Sequence, residues 1–237
     1  MKKMKRPINM AIVACINKRS VDACVAATRT ARQQGADFAE VRIDFLDYEP
    51  SISGIIRQSA LPVFATCRKE RDGGQYRGLE RKRLEMLELA IVAGAAYVDV
   101  ELDTGAEAIQ RMRRMAERKG CRTIVSKHSF ESTPSMSVLV KWLEEAAELG
   151  DIVKIATMAK SADDCIDVLR LLKIAESRRV TLAAFAMGQH GKMTRVASLL
   201  FGSPFTYCSL SGEVAPGQMT IEETKLAMGL FGVAPGS

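Results

Sequence analysis

Three groups of residues in this chain have the types and spacing for chemistry: a lysine inside an apolar run, a histidine near the end of another, and charges spaced two apart. Lys154 stands in Asp151-Ile152-Val153-Lys154-Ile155-Ala156-Thr157. Burying an ammonium is costly, and that cost favours the neutral amine. A neutral amine attacks a ketone and forms an imine. The competing account is a lysine whose stem packs while its head reaches water, and this run alone does not separate the two. His128 stands in Ser126-Lys127-His128-Ser129-Phe130, and the other histidine, His190, in Gly188-Gln189-His190-Gly191. A histidine takes and returns protons near neutral pH, although a lone one is more often structural. Lys127 is a rival amine, but strand alternation turns it away from the face that carries His128. In Glu40-Val41-Arg42-Ile43-Asp44 the same alternation puts three charges on one face. Such a face is either a structural ion-pair network or the wall of a polar pocket.

These residues need elements that bring them together. Short apolar runs cover residues 9–16, 38–45, 62–67, 97–102, 123–130, 151–158, 180–187 and 205–210. Each has strand length. Amphipathic stretches at 21–34, 52–59, 78–93, 106–119, 135–148, 162–177, 191–200 and 221–230 alternate with them. Thr133-Pro134 is expected to open one helix, and Gly35, Gly94, Gly120 and Gly150 to end others.

Continuous apolar strands separated by helices give a parallel sheet covered by helices. Eight such units are the count for an α/β fold of the (β/α)8 TIM-barrel type, with residues 1–237 as one domain. An open doubly wound sheet is the runner-up, but it would want a glycine-rich GxGxxG turn, and none occurs. In a barrel, residues at the C-terminal strand ends face the site. Arg68 and the loop 69–74 follow strand three, Met187 ends strand seven, and Arg195 lies just beyond. The loop 211–218, with Ala215-Pro216-Gly217-Gln218, suits a mobile cover over the mouth.

Composition narrows the class. The chain has 237 residues, 47% hydrophobic and 26% charged, an ordinary globular mix. No run approaches the roughly 18 apolar residues of a membrane span. Met1-Lys2-Lys3-Met4-Lys5-Arg6 resembles the basic start of a signal peptide, but the apolar run after it is short and ends in Asn17-Lys18-Arg19. The expectation is a cytoplasmic protein. Six cysteines, none at two-residue spacing, read as reduced thiols rather than a metal site. The net charge of +6 is spread along helices without aromatic interleaving. That argues against nucleic acid as a partner and fits a small anionic substrate.

Taken together, the motifs resemble the type I 3-dehydroquinate dehydratase family. The carriers are Glu40-x-Arg42-x-Asp44, Arg68 with Asp72-Gly73-Gly74, His128-x-Phe130 with Thr133-Pro134, Val153-Lys154, Met187-Gly188-x-x-Gly191-x-x-x-Arg195, Gly202-Ser203 with Thr206-Tyr207, and Ala215-Pro216-Gly217-Gln218. They occur in the family's order over nearly the whole chain. The resemblance implies an imine between Lys154 and the C3 ketone of 3-dehydroquinate, with His128 as general acid and base and Asp72 orienting it. It implies that Arg195 and Gln218 hold the substrate carboxylate, Glu40 and Arg68 its hydroxyls, that Arg42 fixes Glu40, and that Met187 packs on the ring. It implies no metal or cofactor, and a homodimer.

Two positions depart from the family. Asp72 stands where relatives commonly have Glu, so its contact with the histidine is expected to be looser or water-bridged. Val214 stands where relatives often have Ser or Thr, four residues before Gln218. Two rival readings stay open at this level. A lysine-imine aldolase would share Lys154 but has no reason for Arg195 and Gln218. A non-catalytic barrel that binds a small anion would turn nothing over.

Overall fold

The computed structural model describes residues 10–47, 51–212 and 215–232. Its strands are β1 (Ala11–Ile16), β2 (Phe38–Arg42), β3 (Val63–Thr66), β4 (Tyr97–Glu101), β5 (Arg122–Ser129), β6 (Ile152–Met158), β7 (Leu182–Met187) and β8 (Phe205–Cys208). Its helices are α1 (Val21–Gln34), α2 (Ser51–Gln58), α3 (Glu80–Ala93), α4 (Ala106–Lys119), α5 (Met136–Leu149), α6 (Ala162–Ser177), α7 (Gly188–Gly191), α8 (Thr194–Leu200) and α9 (Ile221–Leu230).

The strands pair in the order β7-β6-β5-β4-β3-β2-β1-β8, parallel throughout. This is a TIM barrel, nearly closed at the β7/β8 seam, where Phe185 and Tyr207 meet edge to face at 6.0 Å. β1 and β7 are buried at every position because helices cover one face and the barrel interior fills the other. No helix among the described residues is long and apolar enough to cross a membrane.

An aromatic cluster fills part of the interior. The Phe64 ring lies 4.2 Å from Tyr97, 5.1 Å from Phe38 and 5.3 Å from Phe205. Edge and tilted contacts of this kind suit the ring quadrupoles. Polar residues gather toward the C-terminal ends of the strands, where the apolar interior gives way to the mouth.

Local signals explain most boundaries. Ser161 and Thr220 open α6 and α9 with reciprocal capping boxes to Asp164 and Glu223. Gly35, Gly94 and Gly120 end α1, α3 and α4 in the left-handed conformation.

Four expectations need correction. Gly150 ends α5 in extended backbone, and it is glycine for a different reason: a Cβ there would lie 2.6 Å from the Val125 side chain. Helix α5 begins at Met136 after Ser135, so Thr133 and Pro134 precede it. Instead, the Thr133 hydroxyl meets the end of β6, at the Thr157 hydroxyl and the Met158 carbonyl. The helix expected over 191–200 begins only at Thr194, as α8, and the short α7 ends at Gly191 before it. Finally, β2 stops at Arg42, and a 3₁₀ turn over Ile43–Phe45 follows. Asp44 therefore leaves the face that Glu40 and Arg42 were expected to share with it.

Candidate active site

Lys154 projects from β6 into the barrel mouth and is only 5% exposed. Its Nζ donates to Asp99 Oδ2 at 3.1 Å, lies 3.7 Å from Glu40 Oε1, and sits over the Tyr207 ring at 4.2 Å. Two carboxylates and a π face thus receive the ammonium. The amine must shed a proton before it can attack a carbonyl.

β5 runs parallel beside β6, with Ser126 opposite Lys154 and His128 opposite Ala156. His128 therefore faces the same mouth, one pleat repeat above the lysine. Burial, reinforced by the positive charges of Arg68 and Lys154, holds its imidazole well below the ordinary histidine range. It is neutral at pH 7 and can accept a proton. His128 Nδ1 has no hydrogen-bond partner among the described residues.

A polar floor surrounds the lysine. Glu40 accepts from Thr66 Oγ1 at 3.0 Å and from Cys15 Sγ at 3.1 Å. Because the Cys15 proton goes to Glu40, its sulfur can accept from Gln218 Nε2, 3.1 Å away. Burial pushes the Cys15 thiol up, Glu40 adds to this, and the group stays protonated. Arg68 Nη2 donates to Asp99 at 2.8 Å and Nη1 to Ser126 Oγ at 2.8 Å, with Glu101 Oε1 3.3 Å away as an ion pair. Burial raises the Asp99 carboxyl, but the charges of Arg68 and Lys154, with the Ser126 hydrogen bond, outweigh it and hold Asp99 well below the usual carboxylate range.

The rim has its own supports. Arg42 makes a fork to Asp44 at 3.0 and 2.7 Å. Asp44 also accepts the backbone N–H groups of Arg68 and Gln75. Gly74 lets that loop close, since a Cβ there would lie 2.0 Å from the Arg68 carbonyl oxygen. On the far side, Arg195 Nη2 donates to the Pro216 carbonyl at 3.1 Å and stacks its guanidinium on Phe185 at 4.8 Å. Gly188 N–H donates to the same carbonyl at 3.2 Å. Gly217, at φ +70°, packs where a Cβ would meet the Gly188 carbonyl oxygen at 2.4 Å. The described part of the last loop is thus held against the end of β7, and Ala215, Pro216 and Gln218 line the cavity mouth.

These side chains enclose one cavity of about 130 Å³. Lys154, His128, Asp72, Glu40, Arg42, Arg68, Met187, Arg195 and Gln218 all line it. The family model of type I 3-dehydroquinase matches residues 12–235. The chain belongs to the type I 3-dehydroquinase family. It is 38% identical over 225 residues to the 3-dehydroquinate dehydratase of Methanopyrus kandleri, covering 93% of this chain and 100% of that one. It is 40% identical over 197 residues to the enzyme of the same name from Methanothermobacter thermautotrophicus, covering 82% and 85%. The crystal structure of 3-dehydroquinate dehydratase from Geobacillus kaustophilus matches with a TM-score of 0.85 at 30% identity, over 94% of this chain and 91% of that one.

Within this type I 3-dehydroquinase barrel, some partners differ from those the motifs suggested. Arg42 holds Asp44 rather than Glu40, because the 3₁₀ turn brings Asp44 back beneath it. The Arg68 guanidinium is taken up by Asp99, Ser126 and Glu101, which places it in the floor. Asp72 Oδ2 is buried without a hydrogen bond among the described residues, and Arg71 Nε lies 3.5 Å away. Its partner is not His128 in this state. Val214 lies outside the described residues. Lys127 points outward to Asp103 at 2.7 Å and to the face of Trp142, and His190 is exposed.

Asp99, Ser126 and Cys15 are the residues that sequence reasoning missed. Asp99 and Glu101 alternate within Tyr97-Val98-Asp99-Val100-Glu101. That charge pattern matches the one that singled out Glu40, and it was the available signal.

Proposed function

We propose that this protein dehydrates 3-dehydroquinate to 3-dehydroshikimate through an imine on Lys154. The observation that carries the reading is a buried lysine amine and a histidine lining one cavity, with Arg195 at the rim. The names of the relatives support the substrate.

Neutral Lys154 attacks the C3 ketone, and loss of water gives a protonated imine. That imine is an electron sink and acidifies the neighbouring C2–H bond. His128 removes the C2 proton, and its neutral state makes it competent to do so. The electrons return from the enamine as the C1–O bond breaks, and His128 hands its proton to the departing hydroxyl, which leaves as water. A second water hydrolyses the imine, releases the enone and restores the amine. Arg195 offers a guanidinium to the substrate carboxylate beside Gln218. Glu40 faces the ring hydroxyls and Met187 the ring. The working form in this reading is a cytoplasmic homodimer of single-barrel subunits that needs no added cofactor.

The test is borohydride reduction with 3-dehydroquinate, followed by peptide mass mapping. Substrate should be fixed to the peptide carrying Lys154, and Lys154→Met should fold and lose nearly all turnover. Labelling at Lys127, or turnover without any trapping, would overturn the mechanism. Turnover of 3-dehydroquinate also separates this reading from an aldolase and from a binding protein.

A further inference from the structure

Arg83 lies on α3, outside the strand wall, yet it is 0% exposed. Its guanidinium is fully engaged. Nη1 donates to Glu101 Oε2 at 2.6 Å and to the Cys67 carbonyl at 3.0 Å. Nη2 donates to Thr104 Oγ1 and to Glu80 Oε1, both at 2.8 Å, and Nε to Glu80 Oε2 at 3.0 Å. The other oxygen of Glu101 faces Arg68 Nη1 at 3.3 Å. Arg68 Nη2 and Lys154 Nζ then share a single oxygen, Asp99 Oδ2, at 2.8 and 3.1 Å. Charges of alternating sign therefore run from Arg83 through Glu101, Arg68 and Asp99 to Lys154.

We infer that Arg83 is a positioning residue for Lys154, acting through Glu101, Arg68 and Asp99 without touching the substrate. The inference rests on the imine reading above. How strongly Asp99 attracts the ammonium depends on how firmly Arg68 holds the shared oxygen. Arg68 divides its charge between Asp99 and Glu101, and Arg83 neutralises Glu101 from behind. Glu101 and both arginines are buried, so solvent screens this relay little. Lys154 otherwise faces Glu40 from β2, His128 from β5, the Tyr207 ring from β8, and Cys15 from β1. None of these contacts Arg83, so a change at Arg83 reaches the amine by way of the relay.

The sign of each change follows. Removing the Arg83 charge leaves Glu101 in excess, makes the surroundings of the amine more negative and favours the ammonium. Removing the Glu101 charge does the reverse. The experiment measures the rate of borohydride trapping against pH in the full-length protein for wild type, Arg83→Met, Arg83→Lys, Glu101→Gln and the Arg83→Met/Glu101→Gln double variant. The acid limb should move up for Arg83→Met and down for Glu101→Gln, each by on the order of 0.5–1 pH unit. It should return toward wild type in the double variant and stay near wild type in Arg83→Lys.

A packing role alone predicts weaker folding with coincident profiles. Coincident profiles, or shifts of the same sign in Arg83→Met and Glu101→Gln, would overturn the inference. If Arg83→Met does not fold, an unmoved limb in Glu101→Gln overturns it equally. Absence of any trapping in wild type would instead sink the imine reading itself.

Discussion

His128 stands one pleat repeat above Lys154 on the neighbouring strand, its backbone opposite Ala156 while that of Ser126 is opposite Lys154. That is roughly 6–7 Å nearer the mouth along the strand. In the proposed mechanism this imidazole is the base for the C–H beside the imine carbon.

His128→Ala should therefore slow turnover by about 100- to 10,000-fold, the range for a lost acid–base group. Imine should still be trapped by borohydride, since Lys154 and its carboxylates are intact. His190→Ala should stay near wild type. Steady-state kinetics of the pair decide the assignment, and a larger loss at His190 would reverse it.

The same burial makes a stability prediction. The folded pKa of His128 is depressed below the unfolded value of about 6.5. Above that pH both states are neutral and folding pays no protonation cost. As pH falls below it, the unfolded chain takes up a proton that the folded chain refuses, so stability is lost toward the folded pKa. The loss from this group is at most about 2 kcal/mol between pH 6.5 and 5. Urea denaturation at both pH values should show a smaller drop in His128→Asn than in wild type. An equal drop would mean that other groups carry the acid sensitivity.

Arg195→Ala should weaken substrate binding by about 10- to 150-fold, the cost of a lost charge-assisted pair of roughly 1.5–3 kcal/mol. It also removes a bond to the Pro216 carbonyl. Arg195→Lys keeps the charge but loses the planar fork and should recover only part of the affinity. Calorimetric titration of inactive Lys154→Met backgrounds with substrate measures both. Unchanged affinity in Arg195→Ala removes it from the carboxylate site.

Asp44→Ala should be strongly destabilising. It strands the Arg42 guanidinium and removes the acceptor for two backbone N–H groups of the loop after β3. Breaking a buried pair in this way costs about 3–5 kcal/mol. A denaturation midpoint within error of wild type would contradict this role.

Gly217→Ala places a methyl against the Gly188 carbonyl and a side chain at positive φ. The loop must shift and carry Gln218 with it. Strain of about 1–3 kcal/mol is expected locally, with KM rising more than stability falls. A variant with normal KM would show that the pinned loop does not set the position of Gln218.

The sequence by itself determined the barrel, because eight apolar runs of strand length alternating with amphipathic helices leave few other ways to bury both faces of a parallel sheet. Strand alternation and barrel polarity also turn Lys154, His128 and Glu40 toward one mouth, where they line one cavity; Arg195, on a helix, was singled out by the family resemblance rather than by alternation. What the tertiary structure decided is who holds whom. Arg42 turns to Asp44 because a 3₁₀ turn cuts β2 short, and nothing in the apolar pattern marks that turn. Asp99 reaches Lys154 from two strands away, and Arg83 reaches Glu101 from a helix outside the wall. Such pairings join residues far apart in the chain, and buried charges choose partners by distance and desolvation in the folded barrel, which local spacing does not encode.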